Sequence, residues 1–126
     1  MNKEFLSYDR ALKLKQLGFD EPCFVLYKAS NSNQLAYAPH GITTNSQLSQ
    51  GDPNNIAAPL FQQAFRWFRE EHNLNPTIMY NGLGEWDYTL LGDWAGRIWN
   101  TYEEAELAAL DKLIEIVELK NKDNEL

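Results

Sequence analysis

Residues 77–99 read TIMYNGLGEWDYTLLGDWAGRIW. Apolar and polar side chains alternate through this stretch with a period of two. Two glycine-bearing breaks, Asn81-Gly82-Leu83-Gly84 and Gly92 to Gly96, divide it into three strand-like runs: Thr77 to Tyr80, Trp86 to Leu91 and Arg97 to Trp99. Strands joined by such short turns return antiparallel, so the stretch predicts a meander. Its register sends Trp86, Tyr88 and Leu90 to one face and Asp87, Thr89 and Leu91 to the other, which makes one side aromatic.

On the C-terminal side, Thr101-Tyr102-Glu103-Glu104 is a capping-box pattern that opens a helix. Leu107, Leu110, Ile114 and Val117 repeat at three and four, and Ala105, Ala108, Ala109, Leu113 and Ile116 widen that apolar stripe. Residues 121–126 are expected to fray. On the N-terminal side, Pro59 at or near the first helical position precedes LFQQAFRWFREEHN (60–73), where Phe61, Phe65 and Phe68 form a core stripe and Trp67 lies on its edge. Before that, residues 38–56 are polar and small, with Pro39, Gly41, Gly51 and Asp52-Pro53. They predict a long polar loop, either a mobile surface excursion or a binding loop.

Ser7 to Leu17 predicts a first helix capped by Ser7 and ended by a left-handed Gly18, with Phe5, Tyr8, Leu12 and Phe19 on one side and Leu14 elsewhere. Cys23 to Tyr27 (CFVLY) reads as a strand covered on both faces, Asn31-Ser32-Asn33 as a turn, and Gln34 to Tyr37 as a weaker returning strand. The fold class is therefore α+β: three helices with an antiparallel three-stranded meander plus one or two further strands. The order is α-β-(β)-α-β-β-β-α, with helices mainly on one sheet face of a single domain, 1–126.

The chain has 126 residues, 44% of them hydrophobic, 23% charged and 13% aromatic, the composition of a packed globule. At this mass about two thirds of the unfolded surface is buried on folding, so the core needs no metal or disulfide staple. The one cysteine, Cys23, has no intrachain partner and reads as a core thiol. No apolar window nears the roughly 18 residues that a membrane span requires, and Met1 to Ser7 lacks the apolar core of a signal peptide. The expectation is a cytoplasmic protein with no membrane partner.

Net charge is −7, and residues 102–126 carry eight acids against three lysines. Phosphate neutralisation supplies most non-specific nucleic-acid affinity, so this balance argues against direct nucleic-acid binding. The acidic helix has two readings, a solvated face or a surface that engages a basic partner or imitates nucleic acid.

Motifs for phosphate cradles, zinc proteases, redox dithiols and serine nucleophiles are missing from the sequence. Gly82-Leu83-Gly84 links strands and does not open a helix, so it reads as a hairpin loop. His40 and His72 are far apart, and with Cys23 they make a poor zinc set, so no metal or cofactor is expected. Glu85, Asp87 and Asp93 are the one carboxylate arrangement that could hold a hard divalent cation, although solvated hairpin charges are the ordinary explanation. Trp86, Trp94 and Trp99 lie close in sequence. They serve either packing or recognition, as a stacking platform or, where exposed, a protein-binding hot spot.

ALKLKQLGFDEPCF (11–24), AAPLFQQAFRWFREEHNL (57–74) and TYEEAELAALDKLIEIVE (101–118) resemble, in the same order, small proteins encoded by phages, prophages and mobile elements of Bacteroides-type gut bacteria. The resemblance implies a mobile-element origin and a bacterial cytoplasm, in a group with no established activity to carry over. The strand–strand–helix ending also resembles the three-stranded DNA-binding modules of some integrases, against which the acidic balance speaks. The expected function is that of an accessory protein acting by protein contacts and not by catalysis, its partner another protein or a second copy. The candidate interaction surface is Trp86, Trp94, Trp99, Trp67, Glu103 and Glu104. The alternatives are a nucleic-acid-binding or nucleic-acid-mimicking module, and after it a metal-assisted hydrolase at Glu85, Asp87 and Asp93.

Overall fold

A computed structural model describes residues 2–125. The fold is α+β, with antiparallel pairing throughout, and the chain falls into two compact units, Met1–Ala64 and Phe65–Leu126. Each has its own three-stranded sheet in place of one shared sheet, and the described residues form four α-helices where three were expected.

In the first unit, α1 (Tyr8–Gln16) is followed by β1 (Val25–Lys28), β2 (Asn31–Tyr37), α2 (Asn45–Gln50) and β3 (Ile56–Ala58). The sheet order is β2-β1-β3, with Val25 facing Tyr37 on one side and Ala58 on the other. Gly18 is left-handed at φ 101°, as a helix stop requires. The buried side of α1 is Ala11 and Leu14, however, with Tyr8 and Leu12 half-buried. The expected stripe fails because Phe5 and Leu6 lie outside the helix, after a short 3-10 turn at Asn2–Glu4: Phe5 bridges Leu60 and Leu6 donates to the Pro59 carbonyl at 3.0 Å. A helical projection cannot include those residues. Val25, Leu26 and Tyr27 are buried in succession, the mark of a strand covered on both faces, whereas Phe24 of the same run is exposed. The β1–β2 turn falls at Ala29–Ser30, two residues earlier than expected.

The segment 38–56 is not one polar loop, since α2 forms inside it. Thr44 accepts from the Gln47 amide while the Gln47 side chain accepts from the Thr44 amide, a complete capping box. Asp20 accepts from both the amide and the hydroxyl of Ser46. Buried Asn45 donates to the Phe19 carbonyl and accepts from the Ala57 amide, each at 2.9 Å. Six residues, five of them polar, have no helical preference strong enough to stand alone; these long-range bonds hold them.

The first turn of α3 (Phe61–His72) belongs to the first unit and the rest to the second, which continues through β4 (Thr77–Tyr80), β5 (Trp86–Leu90), β6 (Asp93–Trp94) and α4 (Tyr102–Glu125). Pro59 precedes α3 instead of opening it. Ala64, Trp67 and Phe68 are its buried positions, with Phe61 and Phe65 half-buried, so the helix is rotated from the expected stripe toward its largest ring. The second sheet runs β4-β5-β6 in the expected register, with Tyr88 and Leu90 buried and α4 against β4 and β5. Along α4 the buried line is Ala105, Ala109, Leu110, Leu113, Ile114 and Val117. The helix continues through Glu125 where fraying was expected, and Leu126 lies outside the described residues.

Candidate functional site

The third run of the meander differs from its expected form, and the difference builds a site. β5 turns back after two residues, Leu91 (φ 55°) and Gly92 (φ 85°), both left-handed as a tight hairpin of right-twisted strands demands. The third strand is therefore β6, at Asp93–Trp94, and not Arg97 to Trp99. Leucine seldom adopts this conformation, so the sequence alone does not mark the turn there.

The Ala95 amide donates to the Tyr88 carbonyl at 2.9 Å, and Trp99 then exchanges both backbone bonds with Trp86 at 2.8 and 2.9 Å. One residue separates Tyr88 from Trp86, but three separate Ala95 from Trp99, and the surplus bulges outward at left-handed Gly96. Beside the bulge, α4 presents Ala108, Asp111, Lys112 and Glu115 at helical spacing on one face. Bulge, β5 and α4 enclose a groove of about 540 Å³. Its aromatic lining is Tyr88, Trp94 and Trp99, and its charged lining is Arg97 and Lys112 against Asp111 and Glu115.

Tyr88 and Trp99 stack at 5.6 Å with an interplanar angle of 25°. Burial raises the Tyr88 hydroxyl above the ordinary phenol value, Asp87 and Glu115 adding to the rise while Lys112 and Arg97 oppose it. At neutral pH it is a protonated donor. Lys112 and Glu115 form an exposed ion pair at 3.4 Å. Trp94, in the lining, is 57% exposed, and Ile98, between the lining residues Arg97 and Trp99 in sequence, is 62% exposed.

The expected surface residues divide. Trp94 and Trp99 line the groove. Half-buried Trp86 packs between Tyr80 at 4.9 Å and Tyr102 at 5.4 Å. Trp67 is 5% exposed and packs on Phe68 and His72, so it offers no contact surface. Glu103 and Glu104 are exposed in the first turn of α4, where the positive helix end favours acids. Glu104 is also part of the cap: its amide donates to Thr101 Oγ1 at 3.1 Å, and its carboxylate accepts from the Asn100 amide. Sequence reading missed Arg97, Ile98 and the α4 face. The signal that could have found that face is the polar spacing of 111, 112 and 115.

Elsewhere, burial pushes the Cys23 thiol up to about 12, Glu21 adding to it, so it is no nucleophile at neutral pH. Burial, helped by Lys120 and opposed by Glu71, lowers the His72 pKa. Among the described residues no three His, Cys, Asp or Glu side chains gather closely enough to hold an ion. Glu85 accepts from Asn81 Nδ2 at 2.8 Å and Asp87 from the Tyr88 amide at 2.7 Å. No described helix is long and apolar enough to cross a membrane.

Comparison with protein-family models, with curated proteins and with solved structures gives no match.

Proposed function

We propose that the chain is an accessory protein acting through protein contacts, with the groove between the bulge and α4 as its recognition surface. One observation carries this reading: Trp94 is exposed in a groove that is also lined by a stacked Tyr–Trp pair, and exposed Ile98 lies in sequence between the lining residues Arg97 and Trp99. Tryptophan, tyrosine and arginine beside a polar rim are the composition of contact hot spots, and exposed apolar bulk of this kind serves no packing purpose. The four lining charges balance, which suits a mixed protein surface and gives a phosphate chain no net attraction. The mobile-element setting and the bacterial cytoplasm rest on the sequence resemblance alone.

A photo-crosslinking residue at Ile98 tests the reading in cells, with the same residue at exposed Leu119 as control. A discrete protein adduct at position 98 that is lost in the Trp94→Ala background is expected. Identical adducts at both positions, or none at position 98, would refute the reading.

A further inference from the structure

The strand edges of the molecule are not equally protected. On β3 the Ala57 amide is taken by Asn45 Oδ1, and the β6 side of β5 is occupied from Leu90 to Trp86 by β6, Ala95 and Trp99. β4 pairs with β5 on one side, and among the described residues its other edge has no backbone partner.

The hydrogen-bond alternation shows which groups that edge presents. Trp86 spends both backbone bonds on Trp99, so the facing Tyr80 is a non-bonded pair member. Asn81 donates to the Glu85 carbonyl, in phase with this. Thr77 and Met79 therefore bond to β5, while Ile78 and Tyr80 aim N–H and C=O groups at the open edge.

Natural edges are blunted by lysine, proline, inward charge or a bulge, yet β4 has none of these within its span and its register is regular. Met79 and Tyr80 are 43% and 52% exposed. The edge strand β2 begins with Asn31, Ser32, Asn33 and Gln34 and its pairing carries a register shift, which makes it a poorer template.

We infer that β4 is a self-pairing edge, its occupant a second copy of this chain aligned antiparallel about a two-fold axis at Met79. Ile78 bonds to Tyr80 of the second copy and Tyr80 to its Ile78, a self-complementary register that joins the two sheets. Charge selects the occupant. No charged side chain lies between Asn73 and Gly84 in a chain of net charge −7. The nearest charge across the sheet is Asp87, one strand back opposite Met79, so a basic partner gains little at this edge, whereas two acidic copies approach there with least repulsion. The inference is independent of the groove.

The register makes the test specific. Met79 faces its own copy as a non-bonded pair, with Cα atoms about 4.5 Å apart, inside the disulfide range. Cys23 is buried, so Met79→Cys adds an accessible thiol to a chain whose own is covered. The wild-type chain is expected to sediment as a dimer at about 100 μM, and Met79→Lys to weaken that dimer at least roughly tenfold with an unchanged circular dichroism spectrum. Mild oxidation should link Met79→Cys at least about tenfold faster than the exposed control Leu119→Cys. A wild-type monomer at that concentration, a dimer that Met79→Lys leaves intact, or equal linking rates at the two positions would overturn the inference. Loss of the dimer with position 98 still forming its adduct would leave the groove reading standing.

Discussion

The two sheets are alike in strand number and pairing, and their middle strands differ. β1 buries three residues in succession, while β5 buries Tyr88 and Leu90 and leaves Asp87 and Thr89 half-exposed. A strand covered on both faces is held by packing from every direction and has no side left for a partner. β5 is paired along both edges and leaves one face half-exposed; the groove lies on its other side, against α4, and the open edge is that of β4, the outer strand of the same sheet.

The largest effects should separate the two middle strands. Leu26→Ala should cost about 3 kcal/mol through a cavity that neither face can collapse. Thr89→Ala on β5 should cost less than about 1 kcal/mol, since surface changes away from special features are small. Denaturant midpoints check both, and equal costs would remove the distinction.

Next in size, Asn45→Ala should destabilise the first unit by about 2 kcal/mol, because the Phe19 carbonyl and the Ala57 amide each lose a partner. Hydrogen exchange should then show residues 45–50 opening first. An Asn45 variant with wild-type protection there would mean that α2 holds itself.

Leu91 bears on the second sheet in the opposite direction. Its left-handed backbone costs a β-region residue about 1 kcal/mol and it is exposed, so Leu91→Asn should raise stability by about that amount. Thermal unfolding reads the sign directly.

The smallest effect is a pH dependence. Burial and Glu103 raise the Glu106 carboxyl above its ordinary value, against the Tyr102 hydrogen bond. A raised carboxyl contributes stability that is complete below the unfolded value and is lost as pH rises through the folded one. Glu106→Gln should therefore exceed the wild type in stability at pH 7, with the advantage shrinking toward about pH 4.5. His72, with a lowered pKa, acts oppositely: its neutral form is favoured, and stability falls as pH drops below about 6.5. The difference between variant and wild type isolates Glu106 from it.

Much of the second unit was legible because its elements follow from local pattern. The strands at Thr77 and Trp86, the face shared by Tyr88 and Leu90, and the Thr101 cap all depend on neighbours within a few residues. The capping box at Thr44 was equally local and was masked by its polar surroundings. The rotation of α3 toward Trp67 and the burial of Leu14 were not legible, because packing in the folded chain settles them, and the turn at Leu91 was not legible because leucine seldom adopts the left-handed backbone it needs.

From the order of its residues alone, this protein's class, the stop of its first helix at Gly18 and the aromatic side of its meander were already determined, since periodicity and turn chemistry act over short range. Only the tertiary structure decided that the strands divide into two sheets, that Asn45 anchors a helix inside a polar stretch, and that Trp94 and Trp99 line a groove with α4. Those outcomes depend on which surfaces and hydrogen-bond groups meet across long loops, and burial is a property of the folded whole.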